Sequence, residues 1–236
     1  MRRMIVGFVA AASVITAAVP AAAQYRGRPA HRFEISGLAG WTFSDGVETQ
    51  PIATGGGFVT GVDVIDGLNG AVSAGFFVNP SVSLEFQWMR QETELRPEGS
   101  GTAPQQYRAY TRVDNYHGNV LFHYGRADNK VRPFFLFGLG STDITPRVQG
   151  EDRDAAARFS GTLGLGLKGY FGGGGLFGEA LGVRLQMRWT PTFIKSEASG
   201  VWCDPWYPWV CYVVEDYDYV NQWAFSGGLT MRFGKR

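Results

Sequence analysis

The chain has 236 residues, 33 of them glycine, with 22 Lys+Arg against 21 Asp+Glu and a formal charge of +1. That size fits one domain or two small ones, and near-neutrality without a basic cluster excludes an electrostatic grip on nucleic acid. A mean hydropathy of −0.11 excludes a bundle of membrane-spanning helices, and the glycine with 14% aromatic residues points to an all-β class.

Met1-Arg2-Arg3 is a positive start, Met4 to Val19 is nearly unbroken apolar sequence, and Pro20 precedes Ala21-Ala22-Ala23. This order predicts a secretory signal over 1–23, cleaved before Gln24, and an exported domain over 24–236. From there period two dominates, the mark of strands with two unlike faces. Phe33, Ile35, Trp41 and Phe43 alternate with Glu34, Ser36, Leu38 and Thr42. A weaker segment over 70–78 carries Val72, Ala74, Phe76 and Val78 on one face. Val82, Leu84, Phe86 and Trp88 alternate with Ser83, Glu85, Gln87 and Met89, and Tyr116, Val120, Phe122 and Tyr124 with His117, Asn119, Leu121 and His123. Segment 132–141 is apolar on both faces. Phe159, Leu163, Leu165, Leu167 and Phe171 alternate with Ser160, Thr162, Lys168 and Tyr170. Leu181, Val183, Leu185, Met187 and Trp189 alternate with Gly182, Arg184, Gln186, Arg188 and Thr190. Trp223, Phe225, Leu229, Met231 and Phe233 alternate with Gln222, Ala224, Ser226, Thr230 and Arg232. Eight strands are predicted.

A water-facing sheet surface is dense in Lys and Glu, yet the polar faces here carry mainly Gly, Ser, Thr and Gln. Aromatics stand at the ends of the apolar stripes instead, as in the two girdles of a membrane barrel. The apolar faces are therefore expected to meet outer-membrane lipid and the polar faces to fill the lumen. The connectors 44–69, 79–80, 91–107, 125–130, 142–157, 172–175 and 194–218 alternate long and short. The fold class expected is an eight-stranded antiparallel up-and-down transmembrane β-barrel, with short periplasmic turns and long extracellular loops.

Arg132-Pro133-Phe134-Phe135-Leu136-Phe137-Gly138-Leu139-Gly140 and the terminal Gly228-Leu229-Thr230-Met231-Arg232-Phe233 resemble strands of the outer-membrane β-barrel domain family, which includes OmpA/OmpX-like and opacity-type proteins. The resemblance implies outer-membrane placement, no single activity, and reading of the last strand by the barrel-assembly machinery at its final aromatic. Gly234-Lys235-Arg236 follows Phe233 here, whereas the family's aromatic is terminal.

Glu34, Glu85, Lys168, Arg184, Arg188 and Arg232 are the charges on the inward faces. Buried charge must be paired, so a polar network is expected, with Glu85 or Glu34 bridging to Arg184 or Arg188. Such a network either gates a narrow ion path or plugs the lumen, and eight strands favour the plug. Pro133, Leu38 and Leu121, read as inward, leave room for a second reading, an OmpW-like conduit for small hydrophobic compounds. Cys203 and Cys211, the only two cysteines of an exported chain, suit a disulfide; with no nearby His, a metal site is poorly served. Around them Trp202, Trp206, Tyr207, Trp209 and Tyr212 form an aromatic tip with Pro205 and Pro208. It suits recognition of an extracellular ligand, or packing onto neighbouring loops or the outer leaflet. No phosphate-binding loop and no Gly-x-Ser-x-Gly occurs. An outer-membrane lipid hydrolase is the only enzyme worth weighing, and it would need a Ser–His pair at an external strand end. No cofactor and no metal is expected.

Overall fold

The computed structural model describes residues 31–45, 47–54, 57–101, 109–125, 129–148, 151–152, 155–171, 180–194, 202–203, 211–212 and 218–234. The predicted signal over 1–23 and most of the aromatic tip lie outside them. Thirteen strands run in chain order: β1 (Phe33–Ser44), β2 (Val47–Thr54), β3 (Gly57–Val64), β4 (Gly67–Asn79), β5 (Val82–Gly101), β6 (Ala109–His123), β7 (Val131–Val148), β8 (Glu151–Asp152), β9 (Ala156–Phe171), β10 (Ala180–Ile194), β11 (Trp202–Cys203), β12 (Cys211–Tyr212) and β13 (Asp218–Phe233). Eight of these close on themselves in the order β1-β4-β5-β6-β7-β9-β10-β13, each pair antiparallel. Closure is made by β1 on β13, with Phe33 opposite Phe233 and Trp41 opposite Phe225. A closed ladder satisfies every interior backbone group and leaves no edge, the condition for crossing hydrocarbon.

The two faces sort as the alternation predicts. Phe86, Leu165, Leu185 and Leu229 stand outside at 55%, 55%, 58% and 59% exposure, while Gln87, Lys168, Arg184 and Thr230 inside are at 1% or less. An outer wall of Leu, Phe and Val suits lipid chains and would be costly in water. At one turn Asn79 closes the chain by accepting from the Ser81 and Val82 amides, each at 2.8 Å. This is the local bond that makes Asn-Pro a turn signal. At another, Gly125 takes φ +87°, open to glycine at little cost.

Two expectations are corrected. The strands run further on the long-loop side: β5 continues to Gly101 and β7 to Val148, through stretches expected to be connectors. The first connector holds the β2–β3 hairpin, whose β3 pairs with the extension of β5. Past the apolar band the outward face of β5 turns polar at Glu92 and Glu94 while Gln91 and Thr93 stay buried inside, so the apolar alternation ends although the backbone ladder does not. Pro133 points outward; Phe134 and Leu136 take the inward places beside it, at 3% and 0% exposure.

The glycines of the β7 motif have a steric reason. A Cβ on Gly138 would run into Asn119 Oδ1 and the Gly118 carbonyl, and one on Gly140 into the Tyr116 carbonyl. These positions let β6 and β7 approach closely and leave the lumen to His117 and Asn119.

Candidate functional site in the barrel lumen

The lumen is filled by side chains in layers, beginning near the short turns. Glu34 on β1 receives Lys168 Nζ from β9, Arg232 Nε from β13 at 3.2 Å and the Tyr170 hydroxyl at 2.8 Å. Two strands, β10 and β13, separate β1 from β9 around the wall, so the Glu34–Lys168 pair crosses the interior. Arg232 also lies 3.5 Å from the centroid of the Tyr170 ring and 5.0 Å from that of Phe77. Arg132, at the same end, donates to the Pro80 carbonyl of the Asn-Pro turn.

The next layer is a crossbar. Glu85 on β5 accepts both terminal nitrogens of Arg184 on β10, one of them at 3.0 Å, in a bidentate pair. β5 and β10 stand four places apart in a ring of eight, diametrically opposed, so this ion pair bars the lumen. Asn119 donates to Glu85 at 3.4 Å, and Arg184 reaches Ser73 at 3.3 Å and Gln186 at 3.0 Å. Phe134 wedges between the layers, its ring centroid 5.0 Å from Lys168 Nζ and 4.9 Å from the Arg184 guanidinium. With Leu121 and Leu136 it forms an apolar plug inside the barrel. A guanidinium on an aromatic face gains quadrupole attraction where no second carboxylate is available.

Toward the long loops the chemistry changes to amides and hydroxyls. Asn115 donates to Gln222 and Gln222 to Gln91, at 3.5 and 3.4 Å, spanning β6, β13 and β5 in a second crossbar. Thr142 bonds Asn115 at 2.6 Å and Ser160 at 2.9 Å, and receives Thr192 at 3.1 Å. His117 Nε2 lies 3.0 Å from Ser160 Oγ. Among the described residues Arg188 hydrogen-bonds Thr162 Oγ1 alone, from Nε at 3.3 Å and Nη2 at 3.1 Å.

The six charges expected inside are all inside, and five of them join the predicted network. Arg188 does not: no carboxylate among the described residues pairs with it. Tyr170 was legible as an inward residue of an alternating strand, though not its partner on a strand remote in sequence; Arg132 was not legible, because its neighbour Pro133 was read as the inward residue. Phe134 was hidden, because a segment apolar on both faces does not reveal its inward side.

Two Ser–His pairs occur among the described residues, neither at an external strand end. His117–Ser160 and His123–Ser83, each pair at 3.0 Å, face the lumen with every member at 4% exposure or less. Neither histidine's Nδ1 has a hydrogen-bond partner among the described residues, the place where a third group would orient a catalytic base. Among the described residues no group of three or more His, Cys, Asp or Glu is placed to hold a metal ion.

On the outer surface, one rung beyond Trp88, Asp114 accepts Arg90 Nε at 2.8 Å and Trp88 Nε1 at 2.9 Å, and Arg112 Nε stands 3.2 Å from its Oδ2 in an ion pair. The loop-side tip is described in its backbone alone: β11 pairs with β12, Trp202 opposite Tyr212 and Cys203 opposite Cys211. Trp206, Tyr207 and Trp209 lie outside the described residues.

Comparison with known proteins follows this geometry. Neisserial surface protein A superposes with a TM-score of 0.52 at 10% identity, over 85% of this chain and 97% of that one. The outer membrane protein OprG from Pseudomonas aeruginosa gives 0.48 at 11% identity, over 89% and 99%. Ail, the attachment invasion locus protein of Yersinia pestis, gives 0.41 at 10% identity, over 84% and 99%. No curated protein matches the sequence at a significant level. The closed eight-stranded barrel is the fold shared with Neisserial surface protein A. The sequence pattern of the outer membrane protein beta-barrel domain matches residues 9–233, and the chain belongs to that family.

Proposed function

We propose that this protein is a sealed outer-membrane scaffold, with an envelope-structural or surface-interaction role carried by the loops it holds outside. The observation that supports this reading is the Glu85–Arg184 pair, which joins opposite walls of the barrel. With the Glu34–Lys168–Arg232 cluster and the Phe134 plug it leaves polar and aromatic side chains where a conduit would need an open path. A channel for small hydrophobic compounds would need a continuous apolar lining, and among the described residues the inward apolar side chains form two small clusters, Leu38–Ala71–Met89–Ala224 and Leu121–Phe134–Leu136, with Phe77, Val113 and Val220 apart from them.

In this reading residues 1–23 are a cleaved export signal and outer-membrane lipid covers the apolar wall. The assembly machinery reads Phe233 on β13. The Cys203–Cys211 pair is oxidised, closing a rigid aromatic tip with Trp202, Trp206, Tyr207, Trp209 and Tyr212, a surface for an extracellular ligand. Planar-bilayer recording is the test. Purified protein gives at most small, rare conductances, and steady porin-sized openings overturn the sealed lumen. Heat-modifiable migration of unboiled protein on gels, with loop cleavage by protease on intact cells, checks closure and orientation.

A further inference from the structure

The stretch of lumen between the two crossbars has its own chemistry, with Met89 as its apolar member on β5. Along β5, Gln87 falls between Glu85 of the lower bar and Gln91 of the upper one; along β6, His117 falls between Asn119 and Asn115. Gln87 and His117 are direct cross-strand partners. From His117 the contacts run to Ser160; two residues further along the same face of β9 is Thr162, which holds Arg188. Gln87, His117, Ser160 and Arg188 are each at 1% exposure or less.

These residues do not satisfy one another. Arg188 Nη1, Gln186 Nε2, both polar atoms of the Gln87 amide and His117 Nδ1 are buried with no hydrogen-bond partner among the described residues. Three of those atoms are obligate donors, Arg188 Nη1, Gln186 Nε2 and Gln87 Nε2, and one of them belongs to a full positive charge. The lumen as a whole leans the same way. Among the described residues its buried inward cations Lys168, Arg184, Arg188 and Arg232 face two carboxylates, Glu34 and Glu85. Both carboxylates are engaged with other cations. A water molecule would accept a bond from each donor but would bring no charge to Arg188, whose attraction to Glu85 is shared with the Arg184 that this carboxylate already holds, and a buried charge so weakly matched is costly. An anion does both.

We propose that this stretch of lumen binds a small monovalent anion of the halide class, held by Arg188 Nη1 with the Gln87 and Gln186 amides completing its shell. The crossbars above and below enclose it, so the ion enters as the barrel folds and exchanges slowly afterwards. The site is independent of whether the loops recognise anything outside.

The test uses bromide as the probe. The full mature chain is refolded in lipid micelles in sodium bromide and, separately, in sodium gluconate at equal ionic strength, then crystallised from bromide. An anomalous bromide peak within hydrogen-bond reach of Arg188, together with a rise in melting temperature of roughly 2–4 °C per tenfold bromide above saturation, is the expected result. Arg188→Gln removes the bromide-specific part of that rise. Gln87→Leu, which keeps the charge and is the fallback if Arg188→Gln does not refold, reduces it. No peak at Arg188, a peak seen in crystals without a bromide-specific shift in solution, or equal shifts in wild type and variants overturns the proposal. Because conductance is read separately, failure of this site and failure of the sealed-scaffold reading give different results.

Discussion

In the half of the lumen nearest the short turns, Glu34 and Glu85 each meet cations from strands across the barrel, and aromatic rings fill the space between. In the half nearest the long loops no carboxylate faces inward among the described residues, and hydroxyls and amides bridge the walls around one lone guanidinium. The contrast separates two ways of closing a narrow tube. Ion pairs between opposite strands hold the wall with charge-assisted bonds whose loss strands a buried charge. Neutral bridges spread the work over many weaker bonds, each worth about 0.5–1.5 kcal/mol. The outer rim at Arg90–Asp114 is a third case, an ion pair with one partner in solvent.

That contrast can be broken experimentally, starting with its strongest element. Glu85→Gln leaves Arg184 buried without its carboxylate and is expected to cost about 3–5 kcal/mol in urea unfolding from lipid vesicles. Adding Arg184→Met should recover a large part of that loss, because the stranded charge is gone. If the double variant is no more stable than the single one, the pair is not the crossbar described here.

Gly140→Val tests the steric seam rather than the charges. The new side chain meets the Tyr116 carbonyl, and overpacking of this kind costs about 1–3 kcal/mol. An unchanged unfolding midpoint would show that β6 and β7 can part freely. At the loop end, Cys203→Ser should lower stability by no more than about 2–3 kcal/mol, since the ring closed is short. The wild type should gain two thiols on reduction by mass spectrometry, and two free thiols before reduction would remove the disulfide. Smallest of all, Arg90→Gln should change stability by about 0–1 kcal/mol, because the Arg90 side chain is 40% exposed and water screens the pair. A rim effect as large as that of Glu85 would erase the distinction between lumen and surface.

Much of this was legible in the chain, and the part that was not has a physical boundary. Alternation is imposed wherever one face of a strand meets lipid and the other meets the lumen, so the eight spanning strands and their inward residues could be read directly. Past the lipid that asymmetry ends, which is why the outer reach of β5 and β7 and the β2–β3 hairpin read as loop. Segment 132–141 is apolar on both sides because Phe134 and Leu136 plug the interior while Phe135 and Leu139 face lipid; no alternation survives to say which is which, and Pro133 was misplaced for that reason.

Sequence by itself determined the number of spanning strands, the side faced by residues of the alternating ones, and which end carries the long connectors, because each of these follows from local period and spacing. Partner choice across the lumen was decided only by tertiary structure. Whether Glu85 meets Arg184 or Arg188, four residues apart on the same face of one strand, depends on how the opposite wall is staggered when the barrel closes. A strand's own sequence carries no record of that stagger, and it is closure that pairs Arg184 and leaves Arg188 with a single threonine.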